Sequence, residues 1–256
     1  MQLSTTVNNI NWRVIPSNQI QEKGLDNVHT SHVLDKIQEF STTLKDDKRS
    51  LVKQGFLFDT QVIAKQPRDK NRRLWMKILS LFRHSEALSA QHTLTQFSQK
   101  GIESVKPICV LEHRKWGFLT DSWIIYEFRE GYESSLEHLP QIIELLQKLH
   151  RNGYRHDDPN FGNFLVKQQD KTADTNNEEL FLIDCKGKKR LGLFSDYYDF
   201  MLLSQRNEGV SIEELIDKAN INTNLLGYKL AEFYAAYKRK RTEFKEKRRA
   251  RRKTKK

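Results

Sequence analysis

This sequence has few of the residues that would place it in several common classes. Its 256 residues contain only two cysteines, Cys109 and Cys185, so there is no disulfide scaffold to build. Both thiols are expected to be free, in a reducing compartment. No run approaches the roughly 18 apolar residues of a membrane span. The N-terminus lacks a basic segment followed by an apolar run, so a secretory signal is not expected. The 5 prolines and 11 glycines form no linker, and no internal repeat is visible. His150 and His156 stand six apart without Cys or His companions at zinc spacing, so a zinc site is not expected. What is present can build a core: 37% of residues are hydrophobic and 14 are Phe, which excludes wholesale disorder.

Charge is unevenly placed. The chain has 44 Lys+Arg and 33 Asp+Glu, a net of +11. The segment 238–256 holds 13 of the bases and 2 of the acids, leaving 31 of each on the rest of the chain. The protein is thus a neutral body with a cationic tail, and the tail speaks of partners rather than of fold.

Along the chain, the segment 1–40 reads as a polar approach with little periodicity. Phe56 to Lys65 reads as one strand. Pro67 to Asn71 reads as a charged turn, and Arg72 to about Lys100 as helix in one or two pieces stopped by Gly101. Pro107–Glu112 and Ser122–Phe128 read as strands joined by a turn at Lys115-Trp116-Gly117. Pro140 and Gly153 bracket an amphipathic helix whose stripe is Ile142, Ile143, Leu145, Leu146 and Leu149. Short strands follow at 163–166 and 180–183, separated by a polar loop. The C-terminal third reads as helical, with Leu226, Leu230, Phe233, Tyr234 and Tyr237 on one face. This order suggests a small sheet-containing lobe followed by a larger helical lobe, with a boundary near 127–133.

The chemistry concentrates at His156-Asp157-Asp158-Pro159-Asn160-Phe161-Gly162-Asn163, after a capped helix and before a strand. A second strand ends in Ile183-Asp184. Phosphoryl transfer needs such a set: one carboxylate to orient or deprotonate the attacking hydroxyl, and an amide and a second carboxylate to hold the metal that bridges nucleotide phosphates. Hard oxygen ligands on short side chains suit Mg²⁺.

At these residues the chain resembles the protein-kinase-like superfamily, whose catalytic loop reads H-x-D-x-x-x-x-N. The resemblance implies an α+β, two-lobe fold with a sheet-containing N-lobe and a mostly helical C-lobe. It implies Asp158 as catalytic base, Asn163 and Asp184 as metal ligands, His156 as a packing residue, and ATP and Mg²⁺ as cofactors. Upstream, Lys65 ends V-I-A-K and is the expected phosphate lysine, with Glu86 its expected partner. Glu127 and Phe128 stand where backbone groups meet adenine. Asp199, or alternatively Asp196, is expected to tie down the catalytic-loop backbone. Three departures stand out. Lys45–Ser50, before Gly55, has no G-x-G-x-x-G. Asp184-Cys185-Lys186-Gly187 replaces D-F-G. Asp157 stands where regulated protein kinases carry an arginine for an activation-loop phosphate, which argues against such regulation.

Non-catalytic stretches narrow the match. Residues 67–73, 81–87, 116–123, 154–159, 181–187 and 195–204 together resemble the bacterial lipopolysaccharide core heptose(II) kinases. That resemblance covers about residues 45–210. It implies ATP-dependent phosphorylation of an inner-core heptose hydroxyl, with a lipopolysaccharide core acceptor and a cytoplasmic site at the inner membrane face. The expected organisation is an N-terminal extension (1–40), an N-lobe (41–130), a helical C-lobe (131–237) and a basic tail (238–256). The tail and the basic, aromatic segment Arg68–Arg83 suit an anionic membrane. Other readings stay open: a kinase-like enzyme acting on a protein or another small molecule, or a nucleic-acid-associated protein using its tail. The neutral body argues against a broad nucleic-acid groove, and the presence of Lys65, Asp158, Asn163 and Asp184 argues against a pseudokinase.

Overall fold

The computed structural model describes residues 3–7, 10–17, 30–57, 59–68, 78–167, 179–185 and 187–253. The chain divides into two compact units, Met1–Glu130 and Gly131–Lys256.

The N-terminal unit is a helix-covered antiparallel sheet. Its strands are β1 (Leu3–Val7), β2 (Ile10–Pro16), β3 (Thr42–Asp46), β4 (Leu51–Leu57), β5 (Thr60–Gln66), β6 (Pro107–Lys115) and β7 (Phe118–Glu127). Their order among the described residues is β1-β2-β6-β7-β5-β4-β3. The helices are α1 (Thr30–Glu39) and α2 (Glu86–Gln99). Period-2 alternation decides which side chains are buried. Val62 and Ala64 of β5 point into a core with Val33, Ile37 and Phe40 from the α1 segment. Lys65 therefore belongs to the other face, beside its cross-strand partner Ile124. Gly55 is required because the Phe40 ring lies directly over it, where a Cβ would stand. The 116–117 turn has positive φ at both residues (51° and 82°), as a tight two-residue hairpin demands.

Three expectations change here. The segment 1–40 is not a polar approach: β2 pairs with β6 inside the sheet, and α1 fills the core. Ile10, Trp12 and Val14 alternate along β2, and Val33, Ile37 and Phe40 recur at helical spacing along α1 and just past its end, but each pattern is short and set among polar residues. The single strand at 56–65 is a hairpin, turned at Asp59 with φ 60°. Of the helix expected from Arg72, residues 72–77 lie outside the described residues, as do 69–71 of the expected turn. Ile78 and Leu79 are helical, 80–82 turn, and α2 restarts at Glu86 behind its N-cap Ser85, whose Oγ accepts the Leu88 N–H at 2.9 Å.

One buried charge was not foreseen. Glu112, with no exposure, meets Arg13 at 2.7 Å and Arg114 at 3.0 Å. Burial alone would raise its carboxyl, but hydrogen bonds from Ser85, Arg114 and Arg13 outweigh it and hold the group below the ordinary glutamate value.

In the C-terminal unit, β8 (Gly131–Glu133), β10 (Phe164–Lys167) and β11 (Leu180–Leu182) form a small antiparallel sheet, and β9 (Tyr154–Arg155) pairs with β12 (Lys188–Lys189). Helix α3 (Leu139–Arg151) carries Pro140 in its first turn and is followed by Gly153 at φ 83°. All five stripe residues are buried. Each contributes about 1.5–3 kcal/mol of apolar transfer. The polar loop at 168–178 lies outside the described residues.

The unit is completed by α4 (Gly192–Arg206), α5 (Ile212–Lys218) and α6 (Leu226–Lys253). Helix α6 packs on α4 through Tyr228, Ala231 and Ala235. A Cβ on Gly227 would come within 3.1 Å of Leu193 Cβ and 3.2 Å of the Phe194 amide nitrogen, so glycine lets the two helices approach closely. Of the residues expected on one face of this helix, Leu226, Leu230, Phe233 and Tyr237 are exposed. The small residues on the opposite side allow close contact with α4, and the bulky stripe is left outside. The basic tail is continuous with α6, and its first base, Lys238, lies over the rings of Tyr198 and Tyr234 at 5.2 and 5.1 Å.

Candidate active site

The loop 156–163 is positioned from below by one carboxylate. Asp199, on the inner face of α4 and wholly buried, accepts the His156 N–H at 2.7 Å and the Asp157 N–H at 2.8 Å. His150 Nε2, from α3, lies 3.0 Å from the same carboxylate. Asp199 therefore performs the anchoring role. Asp196 does not, and it is no N-cap either, because α4 begins at Gly192. Asp196 instead holds the Arg190 guanidinium through two bonds of 2.7 and 2.6 Å. His156 is buried against the Phe164 ring, 5.1 Å between centroids, as a packing residue.

The loop fixes its own amide. Asn163 Nδ2 donates to the Asp158 carbonyl at 2.8 Å, which fixes the orientation of the amide. The Ile183 N–H donates to the Asn163 carbonyl at 3.1 Å, closing the β10–β11 hairpin and setting Asp184 one residue past that pair. Asp184 is exposed at the strand end. An amide oxygen and a short carboxylate at neighbouring strand ends make a donor set of the kind Mg²⁺ takes. Among the described residues, no group of three or more His, Cys, Asp or Glu side chains forms a metal cluster. Burial pushes the Cys185 thiol far above an ordinary cysteine, so it is a packed residue rather than a nucleophile.

Two cations beside this loop were not legible in sequence. Arg206, at the end of α4, places Nη1 2.5 Å from Asp158 Oδ1. Lys188, on β12, lies 2.5 Å from Asp157 Oδ2, and Arg155 lies 3.6 Å from Asp157 Oδ1. Asp157 has φ 69°. Asp157, where the resemblance leads one to expect an arginine, is thus paired with a lysine from the segment after Asp184. Asn207 was also missed: its Oδ1 accepts the Phe161 N–H at 2.8 Å. No motif marks Arg206, Lys188 or Asn207, because each acts across a long sequence separation.

In the N-terminal unit, Lys65 stands near the end of β5, between Val52 of β4 and Ile124 of β7. Glu86 opens α2. The N–H groups of Glu127 and Phe128 donate to Lys106 O and Gln61 O, both at 2.9 Å, so the sheet already uses these two donors. The glycine-poor stretch 45–50 is the end of β3 and the turn into β4. There the Asp47 carboxylate takes the Arg49 and Ser50 N–H groups, both at 2.7 Å, and these bonds hold its pKa below the ordinary value. Amides that a phosphate loop would offer are spent on an internal acid.

A structure of WaaP in complex with acyl carrier protein aligns over 88% of this chain and 98% of that one, at 13% identity and a TM-score of 0.54. The fold is protein-kinase-like. Two further structures align at lower scores. The Rio2 kinase–ADP/Mg²⁺-phosphoaspartate complex from Chaetomium thermophilum covers 94% of this chain and 81% of its own, at 14% identity and TM-score 0.49. The PknI kinase domain from Mycobacterium tuberculosis covers 68% and 74%, at 15% identity and TM-score 0.38. No family model matches the sequence, and no curated relative matches it.

Proposed function

We propose that this protein is an ATP-dependent phosphotransferase that phosphorylates a sugar hydroxyl, a heptose of the lipopolysaccharide inner core. The observation that carries the kinase reading is the assembled loop: Asp158, Asn163 and Asp184 held by backbone bonds, with the buried Asp199 as anchor. In this reading Asp158 orients the acceptor hydroxyl and takes its proton, and Arg206 keeps that carboxylate in place. Asn163 and Asp184 hold Mg²⁺, which when bound neutralises charge on the nucleotide phosphates. Lys65 is assigned to the phosphates and Glu86 to Lys65, and any adenine contact at Glu127 and Phe128 would fall to their carbonyls, since the sheet already uses their N–H groups. The sugar acceptor is supported by the sequence resemblance to the heptose kinases, and the fold shared with WaaP is in keeping with it. The Lys188–Asp157 pair supports a constitutively ordered loop, in keeping with a metabolic rather than a phosphorylation-switched kinase. The basic tail is assigned to the anionic inner face of the membrane bearing the acceptor.

The test is transfer from labelled ATP to purified core lipopolysaccharide, with a protein and an RNA as competing acceptors. Label on the core supports the heptose reading. Label on the protein alone moves the chain to a protein kinase, and no label on any acceptor refutes the enzyme.

A further inference from the structure

The apolar face of α6 that the sequence marks is the face the fold leaves outside. Leu226, Phe233 and Phe244 are 71%, 73% and 68% exposed, and Leu230 and Tyr237 are exposed between them. At 3.6 residues per turn these five fall within an arc of about 60° and extend for about 27 Å along the helix. The helix is not short of a packing face, because Tyr228, Ala231 and Ala235 on the opposite side are already buried against α4.

Bases border the stripe on both sides. By the same spacing Lys240 and Lys247 run along one edge, and Arg241 and Arg248 along the other, all four exposed. The acids Glu232 and Glu243 fall about 100° or more away from the stripe. We infer that α6 is an interfacial helix that lays its Leu226–Phe244 stripe into an anionic lipid surface.

The occupant follows from the charge pattern. A folded partner would have to supply a long apolar groove with acid rims on both sides, and lysine is depleted at protein interface cores. A bilayer supplies both by its nature: an apolar plane beneath anionic headgroups, where long basic side chains reach up while their stems stay in the apolar layer. This extends the reading of a lipid-borne acceptor, and it fails or holds separately from it.

The test is sedimentation of the full-length protein with vesicles of phosphatidylglycerol and phosphatidylethanolamine, and with phosphatidylcholine vesicles as the neutral control. The full chain is expected on the anionic vesicles only. Leu230→Gln with Phe233→Gln, both at exposed positions, is expected to cut partitioning about tenfold or more, with the melting temperature and transfer to a soluble acceptor unchanged. A chain ending at Tyr237 keeps four of the five stripe residues and loses most of the charge. It should bind weakly, with little dependence on salt. Wild-type partitioning by the double variant overturns the inference, and so does retention by an acidic protein with no binding to vesicles. Loss of transfer in every form, with partitioning intact, sinks the kinase reading and leaves the surface standing.

Discussion

Replacing Asp199 by Asn tests how the loop is held. The aspartate is fully buried and accepts two backbone N–H groups, at 2.7 and 2.8 Å, with His150 Nε2 at 3.0 Å. Asparagine keeps the shape but has one acceptor oxygen, and it sets an NH₂ against a backbone N–H. At least one charge-assisted bond, about 1.5–3 kcal/mol, is lost and a buried donor is left unmade at about 1–3 kcal/mol. A combined cost of about 3 kcal/mol is expected. If it falls on the loop conformation, the equilibrium constant between ordered and disordered loop drops about a hundredfold. Some of the cost appears as global stability, lowering Tm by up to about 6–12 °C. The assay pairs steady-state kinetics with amide exchange at residues 156–158. The expected result is a lower kcat, a KM for ATP changed little, and faster exchange at those amides. Exchange as slow as wild type together with kcat within about threefold would refute the anchoring argument.

Asp158→Ala should lower transfer by about 10²–10⁴-fold while nucleotide still binds; near-normal turnover by this variant removes its assignment. Arg206→Ala should reduce kcat more than it raises KM for ATP, and Arg206→Lys should recover part of the loss; equal loss in both would make Arg206 a fold residue only. Asp184→Asn and Lys65→Ala should each weaken productive nucleotide binding, read by titration with and without Mg²⁺, and an unchanged metal dependence in Asp184→Asn would show the acid misassigned. Glu112 has its pKa lowered on folding, so its stabilisation is present above the ordinary glutamate value of 4.5 and is lost as pH falls through the lower folded value. Glu112→Gln should therefore flatten the acid limb of the Tm–pH curve, and an unchanged limb would show that the Arg13–Glu112–Arg114 cluster does not govern acid stability.

The loop 156–163 was legible in the sequence because its signal is local. A proline, a stripe of apolar residues and a glycine mark α3, and the segment 156–163 that follows carries the acid and the amide at fixed spacing. The β10–β11 hairpin follows from two short apolar runs, and Asp184 from its place at the end of the second. Long-range partners carry no such mark. Asp199 could be narrowed only to a choice with Asp196, and burial decided it. Arg206, Lys188 and Asn207 reach the loop from distant positions, and no spacing rule connects them to it. The segment 1–40 reads as a polar approach because its two apolar patterns, Ile10-Trp12-Val14 and Val33-Ile37-Phe40, are short and set among polar residues, and only pairing with β6 and packing under the sheet reveal them as β2 and α1. Helix α6 shows the same division in one element. Its 3.6-residue period was written in the sequence, but periodicity states only that apolar residues share a side. Which side meets the core was decided by close approach to α4, which Gly227, Ala231 and Ala235 permit and a row of Leu, Phe and Tyr does not.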